Sequence, residues 1–418
     1  MAADTESETR KRIVILGGSY SGVSTAHYLL KYVIPKLPER PSYQVVLVSA
    51  SAKAVCRPAC PRALISDDMF PQEKLFVRTD IAFEQYPKYS FRFINGTATE
   101  LDHGNRTVSI DLGTDGASET IDYYALVIAT GASTSSPLLG LTRDDEFLRT
   151  KWIAFRQALP NAKSIVIAGG GPAGVETAGE LGEFLNGRAG FFSSKLENPK
   201  VPITVVTAGS RILPFLRLSL AQKAESYLAQ VGVTVVINAR VTAVSPPGAG
   251  TEDVSSKATL TLEDGKTIDA DLYIPATGMR PNTCFLHEDL KTEEGRVDTN
   301  AVTLRVDKAG PRVYALGDVS SHARPAIHNL PNSIPVLCAN LKRDLLLAAG
   351  NEESAAGIDR EFKEDTRETQ LVPIGKTKGV GALMGYQTPS FFVWLLKGRD
   401  YWLWMAERWW SGNMIAKG

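Results

Sequence analysis

The sequence predicts an α/β fold with two Rossmann-like units, and three observations carry that expectation. Two short apolar runs each lead into a glycine-rich turn and then into a stretch of helical period. A second apolar strand follows each of them, and two later buried runs both end in Ala-Thr-Gly. In the first unit the run RIVILGG starts at Arg12, and the turn GGSYSG consists of Gly17, Gly18, Ser19, Tyr20, Ser21 and Gly22. The helical stretch covers 23–32 and the next strand 43–48. This setting turns a loose glycine pattern into a phosphate loop. The first glycine makes the tight turn, the middle one lets the backbone approach a diphosphate, and the last lets helix pack on strand. Orphan N–H groups and the positive end of the helix dipole then favour an anion.

The first copy departs from the pattern at its middle position, where Ser19 stands. Serine adds one Cβ and a hydroxyl that can donate to phosphate. Gly17 and Gly22 are kept, so the loop is expected to work with slightly weakened affinity. The second copy, SIVIAGGGPAG over 164–174, is intact, with Gly169, Gly171 and Gly174. Its helix carries Glu176 and Glu180, and a strand follows at 203–207. LVIATG (126–131) places Thr130 and Gly131 at a strand end, and LYIPATGMRPN (272–282) does the same with Gly278. VYALGD (313–318) closes on Asp318. An acid there can accept hydrogen bonds from a polyol or cap a helix, and both roles stay open.

The rest of the composition sets bounds. A chain of 418 residues has room for two or three domains and a core that needs no staples. Lys plus Arg and Asp plus Glu both number 46, which gives no electrostatic footprint for nucleic acid, and none is expected as a partner. Cys56, Cys60, Cys284 and Cys338 are too few for a secreted disulfide scaffold and form no C-x-x-C; no metal site is expected. No apolar run reaches transmembrane length. MAADTESETRKR has no apolar signal core, and Ala2 excludes N-myristoylation. A cytoplasmic location is expected, with peripheral contact to a membrane or lipid surface open through the C-terminus.

In this order and spacing GGSYSG, ATG, GGGPAGVE, ATGMRPN and YALGD resemble the two-dinucleotide-binding-domain flavoproteins. Within them the chain is most similar to the apoptosis-inducing-factor-like, ferroptosis-suppressor-type branch, with type II NADH dehydrogenases more distant. The resemblance runs from residue 11 over nearly the whole chain; ACPRA (59–63), GVG (379–381) and KGRD (397–400) add to it. It implies an α/β architecture of two Rossmann-like dinucleotide-binding domains, for FAD and NAD(P)H, the second inserted in the first, plus a small C-terminal α+β domain. The implied boundaries are 11–140 and 296–348 for FAD, 141–295 for NAD(P)H, and 349–418 for the C-terminal domain. Residue by residue, it implies that Gly17 to Gly22 wrap the FAD diphosphate and that Arg62 reaches the same cofactor. Ala98 would hold the adenine end through its backbone, Thr130 and Gly131 would line the crevice, and Asp318 would bind the ribitol. Gly169 to Gly174 would receive NADH or NADPH, with Glu176 and Glu180 on the following helix and Gly278 beside the nicotinamide.

Some positions depart from the family pattern. Ser49 stands where an acid usually takes the adenosine ribose. The segment TAGSR (207–211) also lacks an acid, and its Arg211 suits a 2′-phosphate at least as well as a hydroxyl, so NADPH is expected to be accepted with some preference. The expected activity is hydride transfer from NAD(P)H to FAD and onward electron transfer to a quinone or similar small acceptor. Two rivals remain: a flavin oxidase or dehydrogenase acting on a small organic, including biosynthetic, substrate, and a redox-switched cell-death or interaction protein. The hydride step needs no obligatory acid or base. In RPAIHNLP (324–331), His328 is a candidate proton donor or a locally packed histidine, and Ala326 stands where relatives often keep a lysine. Cys56 and Cys60 are one residue closer than the pair of flavin disulfide reductases. Pro58 and Pro61 break the helix such a pair needs, so ordinary buried thiols are expected. Five of the six tryptophans fall between 394 and 410. A packed domain, a homodimer or quinone-tunnel surface and an interfacial membrane helix are all open for that stretch.

Overall fold

The computed structural model describes residues 10–113, 116–190 and 192–414. The first unit opens with β1 (Lys11–Leu16), α1 (Tyr20–Tyr28) and β2 (Tyr43–Ser49). β1 is buried from Ile13 to Leu16, as a central parallel strand covered on both faces must be. The helix stops short of residue 32, because after Tyr28 it widens into a π-turn over Leu29–Val33. β3 (Phe91–Asn95) is followed by an antiparallel meander of β4 (Thr97–Asp102), β5 (Thr107–Asp111) and β6 (Ser118–Asp122), then by β7 (Ala125–Ile128).

A short β8 (Ala132–Thr134) and α2 (Asp145–Ala158) lead into a second unit that repeats the plan. It contains β9 (Ile165–Ala168), α3 (Pro172–Asn186), β10 (Ile203–Val206), α4 (Leu218–Ala229) and β11 (Val233–Val236). A meander of β12 (Val241–Ser245), β13 (Ala258–Leu262) and β14 (Thr267–Ala270) precedes β15 (Leu272–Pro275) and β16 (Met279–Pro281). The chain then forms β17 (Val313–Ala315) and α5 (Leu330–Ala348). The C-terminal part is β18 (Gln370–Ile374), β19 (Lys378–Leu383) and β20 (Tyr386–Gln387), followed by α6 (Ser390–Val393) and α7 (Leu403–Trp410).

The first sheet is parallel in the order β17–β7–β1–β2–β3, so it is completed by a strand that comes after the second unit. The second sheet is parallel in the order β11–β10–β9–β15. In each sheet the order reverses beside the strand that feeds a glycine turn, which opens a crevice at the carboxyl ends. The two units are stitched by β8 and β16, an antiparallel pair with Ser133 opposite Arg280. Asn282 secures the stitch: its amide donates to the Thr130 carbonyl at 2.9 Å and its side-chain oxygen accepts from Ser133 at 2.8 Å.

The C-terminal three-stranded sheet lies on the second unit so tightly that a Cβ on Gly179 of α3 would come within 2.9 Å of the Ile374 Cα. α7 crosses to the first unit. There His27 of α1 is fully buried and stacked on Phe83, with Nε2 2.8 Å from the Trp410 carbonyl and Nδ1 2.8 Å from the Tyr86 hydroxyl. A neutral ring protonated on Nε2 serves both partners, donating to the carbonyl and accepting from the phenol. Lys31 adds a bond to the Gly412 carbonyl. Trp410 is thereby buried, whereas Phe391, Phe392 and Trp404 are about half exposed. No helix among the described residues is long and apolar enough to cross a membrane.

Burial lowers the His27 pKa from 6.5 to about 4. Between these values the folded chain binds fewer protons than the unfolded one, so stability falls as pH falls through the window. Acid titration followed by tryptophan fluorescence should show the tail loosening there. His27→Gln, whose amide can keep both hydrogen bonds without titrating, should make that slope shallower. An unchanged slope would exclude His27 as its source.

Candidate functional site

The two glycine turns are superimposable in their steric logic. Gly17 has φ +120° and a Cβ on it would lie 2.1 Å from the Ala129 carbonyl oxygen; Gly169 has φ +125° and the same relation to Ala276. A Cβ on Gly22 would sit 1.8 Å from the Gly17 oxygen, and one on Gly174 would sit 2.1 Å from the Gly169 oxygen. Each turn therefore presses against the carboxyl end of the neighbouring strand, and each Ala-Thr-Gly segment marks the strand end it presses on. Gly171, which matches Ser19, is different: a Cβ there would meet nothing within 4 Å. The protein itself leaves room for the Ser19 side chain, which is exposed.

The helices behind these turns have free N-termini. Asp144 caps α2 by accepting from the Phe147 N–H, but no side chain caps α1 at Ser19 or α3 at Gly171. The first-turn donors and the helix dipole are left for an anionic ligand. Around the first turn the structure gathers Thr130 and Gly131 beyond Ala129. Asp318 joins them through Gly317, whose added Cβ would lie 2.2 Å from the Ser21 hydroxyl oxygen. Ser49 lies beneath Gly18, and the Gly96 N–H donates to the Ser49 carbonyl, which brings β4 and Ala98 to the far edge of this crevice. Around the second turn lie Gly278, two residues past Ala276, and Arg211, whose neighbour Leu213 donates its N–H to the Gly170 carbonyl. These cradles fit two dinucleotides.

Arg62 and Glu176 are not gathered there. Arg62 is buried and makes a bidentate ion pair with Glu180, both bonds at 2.8 Å, and donates a third bond to the Arg399 carbonyl. Glu176 is buried against the Lys397 ammonium. Burial pushes its carboxyl up to about 7, a rise that Lys397 opposes. The Tyr401 hydroxyl donates to Glu180 at 2.9 Å. In the structure the partners of Arg62 and Glu176 are other protein groups, because buried charges on α3 need compensation. The cation near the first crevice is Arg57, with Nη1 3.7 Å from the Asp318 carboxylate and a hydrogen bond to the Ala132 carbonyl. Sequence reasoning passed over it, although it stands directly before Pro58 in the run that holds Arg62.

The tail closes over the first turn. The Tyr20 ring lies 4.6 Å from Trp410 and 5.3 Å from Trp409, and its hydroxyl donates to the Cys56 sulfur at 3.3 Å. A cavity of about 120 Å³ opens beside it, walled by Tyr20, Trp402 and Trp409, by Ile327 and Pro331 at the start of α5, and by His328. The ring nitrogens His328 Nε2 and Trp409 Nε1 are buried without a protein partner. Burial lowers the His328 pKa, and Arg324 adds to the effect. Cys56 and Cys60 are fully enclosed, and burial pushes their thiols up to about 11 and about 12. No group of three or more potential metal ligands occurs among the described residues.

The sequence pattern of the family described as pyridine nucleotide-disulphide oxidoreductase matches residues 11–336. The protein named oxidoreductase phnG, from Penicillium herquei, is 64% identical over the full length of both chains. Ferroptosis suppressor protein 1 of Xenopus tropicalis is 22% identical over 98% of each, in line with the resemblance carried by the motifs. The fold is shared with the sulfide:quinone oxidoreductase of Aquifex aeolicus at a TM-score of 0.68 and 16% identity, covering 96% of this chain and 92% of that one.

Gly22→Ala forces a Cβ into a backbone oxygen at 1.8 Å and should yield protein without bound FAD. Ser19→Gly should change the FAD dissociation constant by no more than about threefold, because one small side chain is at stake. Flavin absorbance after gel filtration, together with FAD titration of the apoprotein, reads both. Full flavin content in the Gly22 variant would contradict the geometry.

Proposed function

This chain belongs to the pyridine nucleotide-disulphide oxidoreductase family, and from that premise we propose that its FAD-dependent oxidation of NAD(P)H delivers electrons to a quinone or similar small acceptor. The observation that carries the reading is the small aromatic-walled cavity against Tyr20, whose almost wholly apolar lining suits the ring of a quinone. FAD, when bound, would supply acceptance of the hydride and onward transfer of electrons. The chain's own residues do the rest. The uncapped N-termini of α1 and α3 orient the two diphosphates, and Asp318 with Arg57 sets the ribitol end. Trp409 and His328 contribute ring faces to the cavity wall, their partnerless nitrogens being enclosed rather than open to it.

The thiols support the same reading. A thiol–disulfide relay needs thiolate, and two enclosed thiols pushed up to about 11 and about 12 supply almost none at neutral pH. Electrons therefore go from the cofactor directly to a small molecule. For the donor we favour NADPH, since the loop after β10 offers Thr207, Ala208 and Arg211 and no acid.

An anaerobic visible spectrum should show the flavin bleached by NADPH and restored by a short-chain quinone. A flavin that stays oxidised with both nucleotides would favour the oxidase alternative. Ala406 of α7 also lines the cavity; Ala406→Phe fills it and should leave bleaching intact while cutting quinone turnover about tenfold or more. Equal turnover would remove the cavity from the mechanism. Arg211→Ala should raise the KM for NADPH about tenfold and spare NADH, as loss of one charge-assisted phosphate contact does. A rise shared by both nucleotides would mean that Arg211 only shapes the loop.

A further inference from the structure

A dinucleotide lies across the switch point of a doubly wound sheet, with its adenosine half toward the strand that follows the glycine turn and its other half on the far side. In the first sheet the adenosine side is β2, so the flavin half runs over β7 and β17, which lead into Thr130 and Asp318. In the second sheet the adenosine side is β10, so the nicotinamide half runs over β15, which leads into Gly278. The strands that continue from these two far sides are β8 and β16, and they pair with each other. Hydride passes only between rings in contact. The stitch therefore borders the place where the two rings meet.

Arg57 spans this stitch. Its Nη1 donates to the Ala132 carbonyl of β8 at 3.1 Å and lies 3.7 Å from the Asp318 carboxylate, while Nη2 donates to the Met279 sulfur of β16 at 2.8 Å. Its stem packs on Gly140, where an added Cβ would come within 3.1 Å of Nε. The two ends of the fork are unequally served. Nη1 faces oxygens, whereas Nη2 spends a charged donor on a thioether, a weak acceptor. Met279 is 43% exposed. Gly278 directly before it has φ +118°, and an added Cβ there would meet nothing within 4 Å, so the protein leaves this space open. A charged donor gains by exchanging sulfur for a carbonyl oxygen.

We propose that Arg57 binds the nicotinamide: when NAD(P)H enters, Nη2 leaves the Met279 sulfur for the carboxamide oxygen, and Nη1 stays with Ala132 and Asp318 on the flavin side. One guanidinium then ties the hydride donor to the flavin half of the first crevice. The inference rests on the use of NAD(P)H in the second crevice and not on which acceptor is reduced.

The test is calorimetric titration, with FAD in excess, of two ligand pairs: tetrahydro-NADPH against 2′-phospho-ADP-ribose, and tetrahydro-NADH against ADP-ribose. The tetrahydro ring keeps the carboxamide, gives no hydride and is uncharged, so the guanidinium does not repel it as it would a pyridinium. The second ligand of each pair lacks the ring and reports on the rest of the crevice. Arg57→Met keeps the stem and removes the donors. It should weaken the ring-bearing ligands about tenfold or more, as loss of a bond from a charged donor does. The ringless ligands should change by less than about threefold, as after a substitution that touches nothing they contact. Met279→Leu removes the sulfur and keeps the apolar bulk, and should leave all four ligands within about threefold. Equal weakening of both members of a pair in Arg57→Met, or no weakening, would overturn the proposal. So would a Met279→Leu variant that copies Arg57→Met, since Arg57 would then only staple β8 to β16. If neither ringless ligand binds the unmodified protein at millimolar concentration, the placement of NAD(P)H in the second crevice falls, and this inference with it.

Discussion

Two carboxylates one turn apart on a buried helix set the terms for the rest of the molecule. Glu176 and Glu180 both lie within α3 at under 5% exposure. Like charges at this spacing repel, and in a low-dielectric interior neither stands ionised without a partner. The partners come from elsewhere: Arg62 from the first unit, Lys397 and the Tyr401 hydroxyl from the C-terminal part. The helix can therefore be fully satisfied only when all three parts are docked. Such pairs add little net stability over an apolar core, but removing one partner costs about 3–5 kcal/mol, a large share of a domain's stability. Their effect is to select one arrangement of the parts.

That arrangement reaches the first glycine turn through a short chain of contacts. The Tyr401 carbonyl accepts from the Cys56 thiol, and the same sulfur accepts from Tyr20, a residue of the turn itself. Tyr401 and Trp402 both hold left-handed backbone, with φ +51° and +70°. Each costs about 1–2 kcal/mol for a residue with a side chain, which the pinned Tyr401 hydroxyl and carbonyl sustain. Trp402 of this joint also walls the cavity beside Tyr20. Ion pairing on α3, strain at the joint and the shape of the proposed acceptor cavity are one connected device.

What was legible in the sequence follows from the range of each constraint. The glycine turns could be read because the clash that demands glycine lies within the turn: Gly22 against Gly17, and Gly174 against Gly169. The Ala-Thr-Gly strand ends could be read because each is a short local pattern, and the structure shows Gly17 and Gly169 pressed on their carbonyls. Arg62 could not be placed, since its partner is 118 residues away. Glu176 bonds a lysine 221 residues on, a separation at which helical periodicity says nothing about pairing. Arg57 was missed for a related reason: local reading cannot tell which of two nearby arginines turns toward Asp318 and which turns inward.

Ser19 shows where fold and ligand make separate demands. At the matching Gly171 the protein offers a Cβ nothing to strike, so the middle glycine of this turn is not required by the packing of strand and helix. It is a requirement of how closely a diphosphate approaches the backbone. A serine there leaves the turn intact, stands exposed, and caps nothing in the helix behind it. Its hydroxyl therefore stays free for the same anion that the uncapped N–H groups attract. The cost of the extra Cβ and the gain of an added donor fall on the same ligand, and for this reason the first turn tolerates a residue that Gly22, fixed by the protein's own backbone, could never accept.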